Sequence, residues 1–65
     1  MFRVEMDTGN GGWGWNFKTP EDVYENIVDE VGHDEAANVQ GWCELASIGE
    51  VYEGEHFQVY VMEND

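Results

Sequence analysis

Negative charge dominates this chain and limits how it can fold. Fifteen Asp and Glu residues face only Arg3 and Lys18, which gives a formal net charge of −13 over 65 residues. A charge of this size favours disorder, because the acids repel one another in any compact state. However, 42% of the residues are hydrophobic and nine are Phe, Trp or Tyr. This apolar content predicts a folded chain.

The length predicts one domain, residues 1–65, with little stability to spare. A chain this short buries only about 60% of the surface that it exposes when unfolded. Cys43 is its one cysteine, so no internal disulfide is available, whereas a small secreted domain would normally have four or more cysteines. We therefore expect a reducing, cytoplasmic location. Formation of a homodimer is one way to support so small a domain.

Membrane association is not expected either. No apolar run approaches the 18 residues that a membrane-spanning helix needs. The N-terminal residues 1–7 have no apolar core of the kind that a secretory signal contains. The negative charge would also repel an anionic lipid surface.

Two alternating apolar runs flank a glycine-rich segment near the N-terminus. Residues 2–6 and 13–17 each alternate large apolar residues with polar residues or glycine, which is the pattern of half-buried strands. Asn10-Gly11 suits a type I′ turn, because both central residues of that turn need positive φ. This turn predicts a hairpin in which Met6 lies opposite Trp15, with every large apolar residue on one face.

Two helices are predicted in the middle of the chain. Thr19 is a suitable N-cap, Pro20 suits the first helical position, and apolar residues then recur with helical spacing as far as Gly32. Asp34 is the predicted cap of a second helix that runs to about Ile48. The predicted buried face of this second helix comprises Ala36, Val39, Trp42, Cys43 and Ala46.

Residues 50–62 predict a second hairpin with its turn at Glu53-Gly54. The register is left open, because a tight turn there does not place Val51 opposite Phe57. The complete order is strand, strand, helix, helix, strand, strand (ββααββ). The predicted fold class is therefore α+β, a small single domain with an antiparallel sheet and two helices on one face.

The outer face of the first predicted helix carries the sharpest local signal for function. Glu21 and Glu25, and Glu25 and Asp29, are like-charge pairs four residues apart, each costing about 0.2–0.5 kcal/mol, and no lysine lies nearby. Binding of a basic partner, the general acidity of a salt-adapted proteome and an ordinary solvated face are the three explanations. We favour the first. The candidate partner-binding residues are Glu21, Asp22, Glu25, Asp29, Glu30, Asp34 and Glu35.

A second group of acids lies toward the C-terminus. Turn tips are usually polar, so this group adds to the candidate site only if the fold joins it to the helix face. Its members are Glu44, Glu50, Glu53, Glu55, Glu63 and Asp65.

Motifs for catalysis or for cofactors are lacking in the sequence. Cys43 has no Cys, Ser or His at motif spacing, and His33 and His56 lie far from each other. The residues from Asp7 to Gly12 lack the alternating carboxylates of a calcium loop. We therefore expect neither an enzyme nor a metal or cofactor site, and Cys43 is predicted to be a small core residue.

Trp13 and Trp15 have two interpretations. Exposed aromatic side chains can stack on nucleic-acid bases, but a body with a charge of −13 repels phosphates. We therefore expect no direct binding of nucleic acid. The favoured interpretation places both residues in the core beneath the helices, and the alternative is an anchor for a protein partner.

In size, charge and aromatic content the chain resembles the DNA-mimic proteins of phages and mobile elements. Those proteins occupy the DNA-binding clefts of restriction enzymes, CRISPR nucleases, repressors or nucleoid proteins. The resemblance implies an anti-restriction, anti-CRISPR or similar inhibitor that binds the basic groove of a nucleic-acid-binding protein in the host cytoplasm. It transfers no residue, because no motif is shared. The alternative is a small non-enzymatic accessory module, acidic for solubility or for salt adaptation.

Overall fold

The computed structural model describes residues 1–63. These residues form a four-stranded antiparallel sheet and two helices. Across the sheet the strands follow the order second, first, fourth, third, so the first and last strands of the chain are central and the other two form the edges. None of the helices described is long and apolar enough to cross a membrane. The α+β class and the ββααββ order are confirmed. The elements are β1 (Phe2–Asp7), β2 (Gly12–Phe17), α1 (Pro20–Val31), α2 (His33–Leu45), β3 (Val51–Glu53) and β4 (Phe57–Val61).

The hydrophobic core lies between the sheet and the helices. Its centre consists of residues with no exposed surface, contributed by both central strands and by both helices. No polar or charged residue within the described range is buried. The core is therefore held by apolar burial, worth about 25 cal/mol per Å², and the acids lie outside it. The fully buried residues are Val4, Val23, Ile27, Ala36, Val39 and Val59.

The first hairpin forms, but in a register that differs from the prediction. Met6 lies opposite Trp13 rather than Trp15, and Val4 lies opposite Trp15. The shift is two residues, and side chains alternate between faces with a period of two. Each apolar side chain therefore keeps its face in both registers, which is why the alternation alone did not distinguish them.

The turn of this hairpin is centred on Gly9-Asn10 rather than on Asn10-Gly11. Thr8 N donates to Gly11 O at 3.2 Å. Gly9 has a φ of 84°, whereas Asn10 has no positive φ, so the predicted type I′ turn does not form. The Asp7 carboxylate accepts a hydrogen bond from Gly9 N at 3.0 Å, and this local bond favours the earlier turn.

Helix α1 begins and ends as predicted. The Thr19 hydroxyl accepts a hydrogen bond from Asp22 N at 3.1 Å, and Pro20 is the first helical residue. At the other end Gly32 N donates to Val28 O at 2.9 Å. Gly32 has a φ of 90°, a conformation that favours glycine, and there the chain turns into the second helix.

Helix α2 differs from the prediction at both ends. It begins at His33, and Gly32 occupies the N-cap position without a side-chain hydrogen bond, so Asp34 is not the cap. Ala36 N donates to Gly32 O at 3.0 Å, so the first helical hydrogen bond already forms two residues before the predicted cap. The helix ends at Leu45 rather than near Ile48, because Ala46 is extended and a turn follows.

The second hairpin turns two residues later than Glu53-Gly54. Gly54 N donates to Phe57 O at 2.8 Å, which places residues 55–56 at the turn, and Val51 lies opposite Tyr60. The predicted turn position is therefore wrong. The reason is tertiary: β4 pairs with β1 along its whole length, and this pairing determines where β4 begins.

Candidate functional site

The acids are distributed unevenly over the two sides of the sheet. Helix α1 carries five carboxylates and α2 carries three, and neither helix contains Lys or Arg. The opposite, open face of the sheet carries Arg3, which donates to Glu5 at 3.1 Å and to Asn16 at 3.1 Å. Asp7 and Glu53 are the other carboxylates that strand alternation places on that face. The helical side therefore carries eight carboxylates and no Lys or Arg, whereas the open sheet face carries three carboxylates and Arg3.

All seven predicted partner-binding residues belong to the two helices. Six of them are exposed. Glu35 is half-buried, and its carboxylate accepts a hydrogen bond from the Tyr52 hydroxyl of β3. This bond, followed by burial and by the charge of Glu35, raises the pKa of Tyr52 to about 12. Glu35 therefore fastens α2 to β3, a role that its position in the sequence did not indicate.

A groove separates α1 from the edge strand β2. Its volume is about 430 Å³. Trp15 contributes an indole that is 66% exposed, and Asp29 and Glu30 contribute carboxylates from α1. An aromatic face beside two carboxylates is a combination that binds cations. The groove is lined by Trp13, Gly14, Trp15, Phe17, Asn26, Asp29 and Glu30.

The prediction that Trp13 and Trp15 belong to the core is wrong for Trp15. Trp13 is half-buried and packs against the core, as does Trp42 of α2. Trp15 points to the helical side of the sheet, as buried Phe17 does, but β2 is an edge strand. Alternation identifies the face of a strand, and the placement of α1 determines how much of that face is covered. The alternative interpretation, a partner anchor, remains a prediction.

A second concavity lies where the two hairpin turns meet the junction of the helices. Its volume is about 580 Å³, and four separate segments contribute carboxylates to it. Glu55 thus connects the C-terminal acids to the helical side, whereas Glu53 does not. Asp65 lies outside the described residues. Sequence reasoning had no signal for this cleft, because its members are distant in the chain. Its titratable residues are Asp7, Glu30, Glu35, Glu55 and His56.

The chemistry available within residues 1–63 is that of exposed carboxylates and aromatic rings. No group of His, Cys, Asp and Glu side chains in this range is arranged to hold a metal ion. Cys43 is buried, as predicted, and its pKa is raised from the ordinary 9.0 to about 11, chiefly by burial and further by Glu44. A thiol with this pKa is almost wholly protonated at neutral pH and is a poor nucleophile.

No protein-family model matches this chain, and no curated protein sequence or solved structure is similar to it.

Proposed function

We propose that this protein binds the basic groove of a nucleic-acid-binding protein and blocks it by imitating the charge of DNA. The observation that supports the proposal is the sidedness of the charge: eight carboxylates on the two helices, with no Lys or Arg among them. Carboxylates accept charge-assisted hydrogen bonds from Arg and Lys, as phosphates do. The helical side would therefore occupy the site that nucleic acid otherwise fills.

The density of charge is of the right order for such mimicry. The accessible surface is 4291 Å² for a net charge of −13. Duplex DNA has one charge per 1.7 Å of axis, or about one per 110 Å² on a cylinder of roughly 10 Å radius. The protein averages about one net charge per 330 Å², a third of that density. Because eight of the carboxylates belong to the two helices, with no Lys or Arg among them, the helical side exceeds this average.

The mechanism is competition. A concentrated negative field accelerates encounter with a basic groove at low salt and repels nucleic acid from the complex. The wider setting that suits such an inhibitor is the cytoplasm of a cell defended by restriction or CRISPR nucleases.

The experiment has two stages. The protein is immobilised, and binders from a bacterial lysate are captured at low salt and eluted with duplex DNA. Each eluted protein is then tested for DNA binding with increasing amounts of this chain. The proposal expects DNA binding to fall at low salt, and binding of the captured protein to the immobilised chain to be lost at about 1 M NaCl, where charges are screened beyond roughly 3 Å. An eluted protein that binds DNA unimpeded would contradict the proposal.

A second candidate function is an accessory module that binds through apolar contacts without mimicry. The observation in its favour is the exposure of large apolar residues around the end of α2, with Leu45 89% and Ile48 63% exposed. Binding of this kind would persist at high salt, because apolar burial is not screened. The salt step of the capture experiment therefore separates the two candidates.

A further inference from the structure

β2 is an unprotected edge of the sheet. Among the described strands it pairs only with β1. Its six residues, GWGWNF, include no charged residue and no proline. Natural proteins normally shield an edge by shortening it, charging it or covering it. The opposite edge, β3, follows that rule, since it has three residues and ends at Glu53.

The free backbone groups of β2 can be assigned from the hydrogen bonds of β1. Asp7 N donates to His56 O on the β4 side, and Thr8 N donates to Gly11 O on the β2 side. Because the bonding direction alternates along an antiparallel strand, the even-numbered residues of β1 bond to β2, and their partners in β2 are odd-numbered. The N–H and C=O groups that point away from the sheet therefore belong to Gly12, Gly14 and Asn16.

A strand added to this edge would send every second side chain into the groove described above. Residues opposite each other on neighbouring antiparallel strands have Cβ atoms about 4.5–5.5 Å apart. The side chain opposite Trp15 would thus lie against its exposed indole, beside Asp29 and Glu30. Arginine fits this position better than lysine, because a planar guanidinium stacks on an aromatic ring and binds carboxylates through paired hydrogen bonds.

Charge selects the occupant. A second copy would bring another net charge of −13. Pairing β2 with β2 would place the groove carboxylates of both copies close together, where they repel one another. A basic segment would neutralise the same carboxylates. We propose that the outer edge of β2 is a strand-addition site for an extended, arginine-bearing segment of the partner, with one arginine seated on Trp15. The basic character of the segment rests on the proposed function, whereas the strand pairing is a separate claim.

The test uses a nine-residue peptide of alternating Arg and Thr and amide hydrogen exchange on the intact protein. We expect the peptide to slow exchange at Gly12, Gly14 and Asn16. The amides of Trp13 and Trp15, already bonded to β1, should change little. A peptide with N-methylated backbone amides should lose this protection, and citrulline in place of arginine should weaken binding by about tenfold. Binding that leaves the outward amides exchanging as before would overturn the inference.

Two variants and a control locate the arginine. Trp15→Ala and Asp29→Asn should each lower the affinity for the Arg peptide by about three- to tenfold. Leu45→Ala, at an exposed apolar site elsewhere, should leave this affinity unchanged. Equal affinity of both variants and the control would overturn the placement on Trp15. If the outward amides are protected without peptide, and more strongly at higher protein concentration, the occupant of the edge is a second copy and not a basic segment.

The two proposals fail separately. If a DNA-binding protein is captured and blocked while the outward amides of β2 remain unprotected in the complex, the proposed function stands and strand addition is wrong. If the peptide pairs with β2 but no captured protein loses DNA binding, strand addition stands and the proposed function is wrong.

Discussion

Trp15 combines a large apolar side chain, extensive exposure and two neighbouring carboxylates in one place. Buried apolar surface is worth about 25 cal/mol per Å², so leaving an indole 66% exposed forgoes stability in a domain that has little to spare. Phe17, two residues later on the same face, is only 8% exposed. A large apolar residue left in solvent beside charged groups is characteristic of a binding surface.

Replacing Trp15 should therefore affect binding more than folding. We expect Trp15→Ala to lower the free energy of unfolding by only about 1–2 kcal/mol, because most of the indole is exposed. Phe17→Ala should cost about 3–5 kcal/mol, since it empties part of the core. Urea unfolding of both variants measures the difference. Equal losses would mean that Trp15 is covered in solution.

Cys43 and Tyr52 should make the fold sensitive to alkali. The pKa of Cys43 rises from 9.0 to about 11 and that of Tyr52 from 10.0 to about 12 in the folded chain. The unfolded chain therefore loses these protons first as pH rises. The free energy of unfolding is highest below pH 9 and falls as the pH rises from the unfolded to the folded pKa of each group.

Thermal melts between pH 7 and 12 would measure this decline. Cys43→Ala should remove the part that begins near pH 9, and Tyr52→Phe should remove the part that begins near pH 10. A melting midpoint that stays constant up to pH 12 would contradict both assignments.

Helix α1 is the element in which local energetics and function diverge. Its first turn places Glu21 and Asp22 at the positive end of the helix dipole, which is favourable. Farther along, the like-charge pairs at Glu25 are unfavourable, and the last turn has no basic residue. The helix is held instead by Val23 and Ile27, which are fully buried.

Reversing charge on α1 should abolish binding to a basic partner without unfolding the helix. Glu25→Lys with Asp29→Lys turns the repulsion between positions 21 and 25 into an attraction and exchanges one like-charge pair, at positions 25 and 29, for another. Lysine is a better helix former than aspartate, so helix content by circular dichroism should hold or rise. The matched control is Glu53→Lys with Glu63→Lys, which changes the net charge equally but alters an open-face residue and an exposed residue after β4. Equal loss of binding in both double variants would show that net charge alone, and not α1, decides affinity.

For the whole molecule, the unequal distribution of charge creates repulsion that few ion pairs relieve. Within residues 1–63 the ion pairs are Arg3 with Glu5 at 3.1 Å and, when the histidine is protonated, His33 with Asp34 at 3.6 Å. Both are exposed, so their contribution is small. The compact state must therefore tolerate the mutual repulsion of the helical carboxylates.

Salt should consequently stabilise the isolated protein. Screening lengths fall from about 30 Å at 0.01 M to about 3 Å at 1 M, so the melting midpoint should rise between those NaCl concentrations. The Glu25→Lys, Asp29→Lys variant should respond less, because its helical side is less negative. A midpoint that does not depend on salt would mean that the carboxylates are too far apart to repel one another.

Local signals along the chain were sufficient for the type and order of the elements and for the bounds of α1. Thr19, Pro20 and Gly32 define α1 because caps and stops act through neighbouring backbone groups. Alternation identified β1, β2 and β4 and the inward side of each, whereas the register of β3 was left open. The excess of acids in the two helical segments was also visible, because the helix to which a residue belongs and the charge of that residue can both be inferred from the sequence.

Contacts between distant segments decided the rest. The pairing of β4 with β1 set the second hairpin turn at residues 55–56. The hydrogen bond from the Tyr52 hydroxyl holds the Glu35 carboxylate against β3, so Glu35 is not part of the exposed acidic face. The edge position of β2 left Trp15 open although its pattern is that of a core residue. Periodicity specifies which way a side chain points, but what it meets there depends on elements far away in the chain, and that is decided only when the whole domain packs.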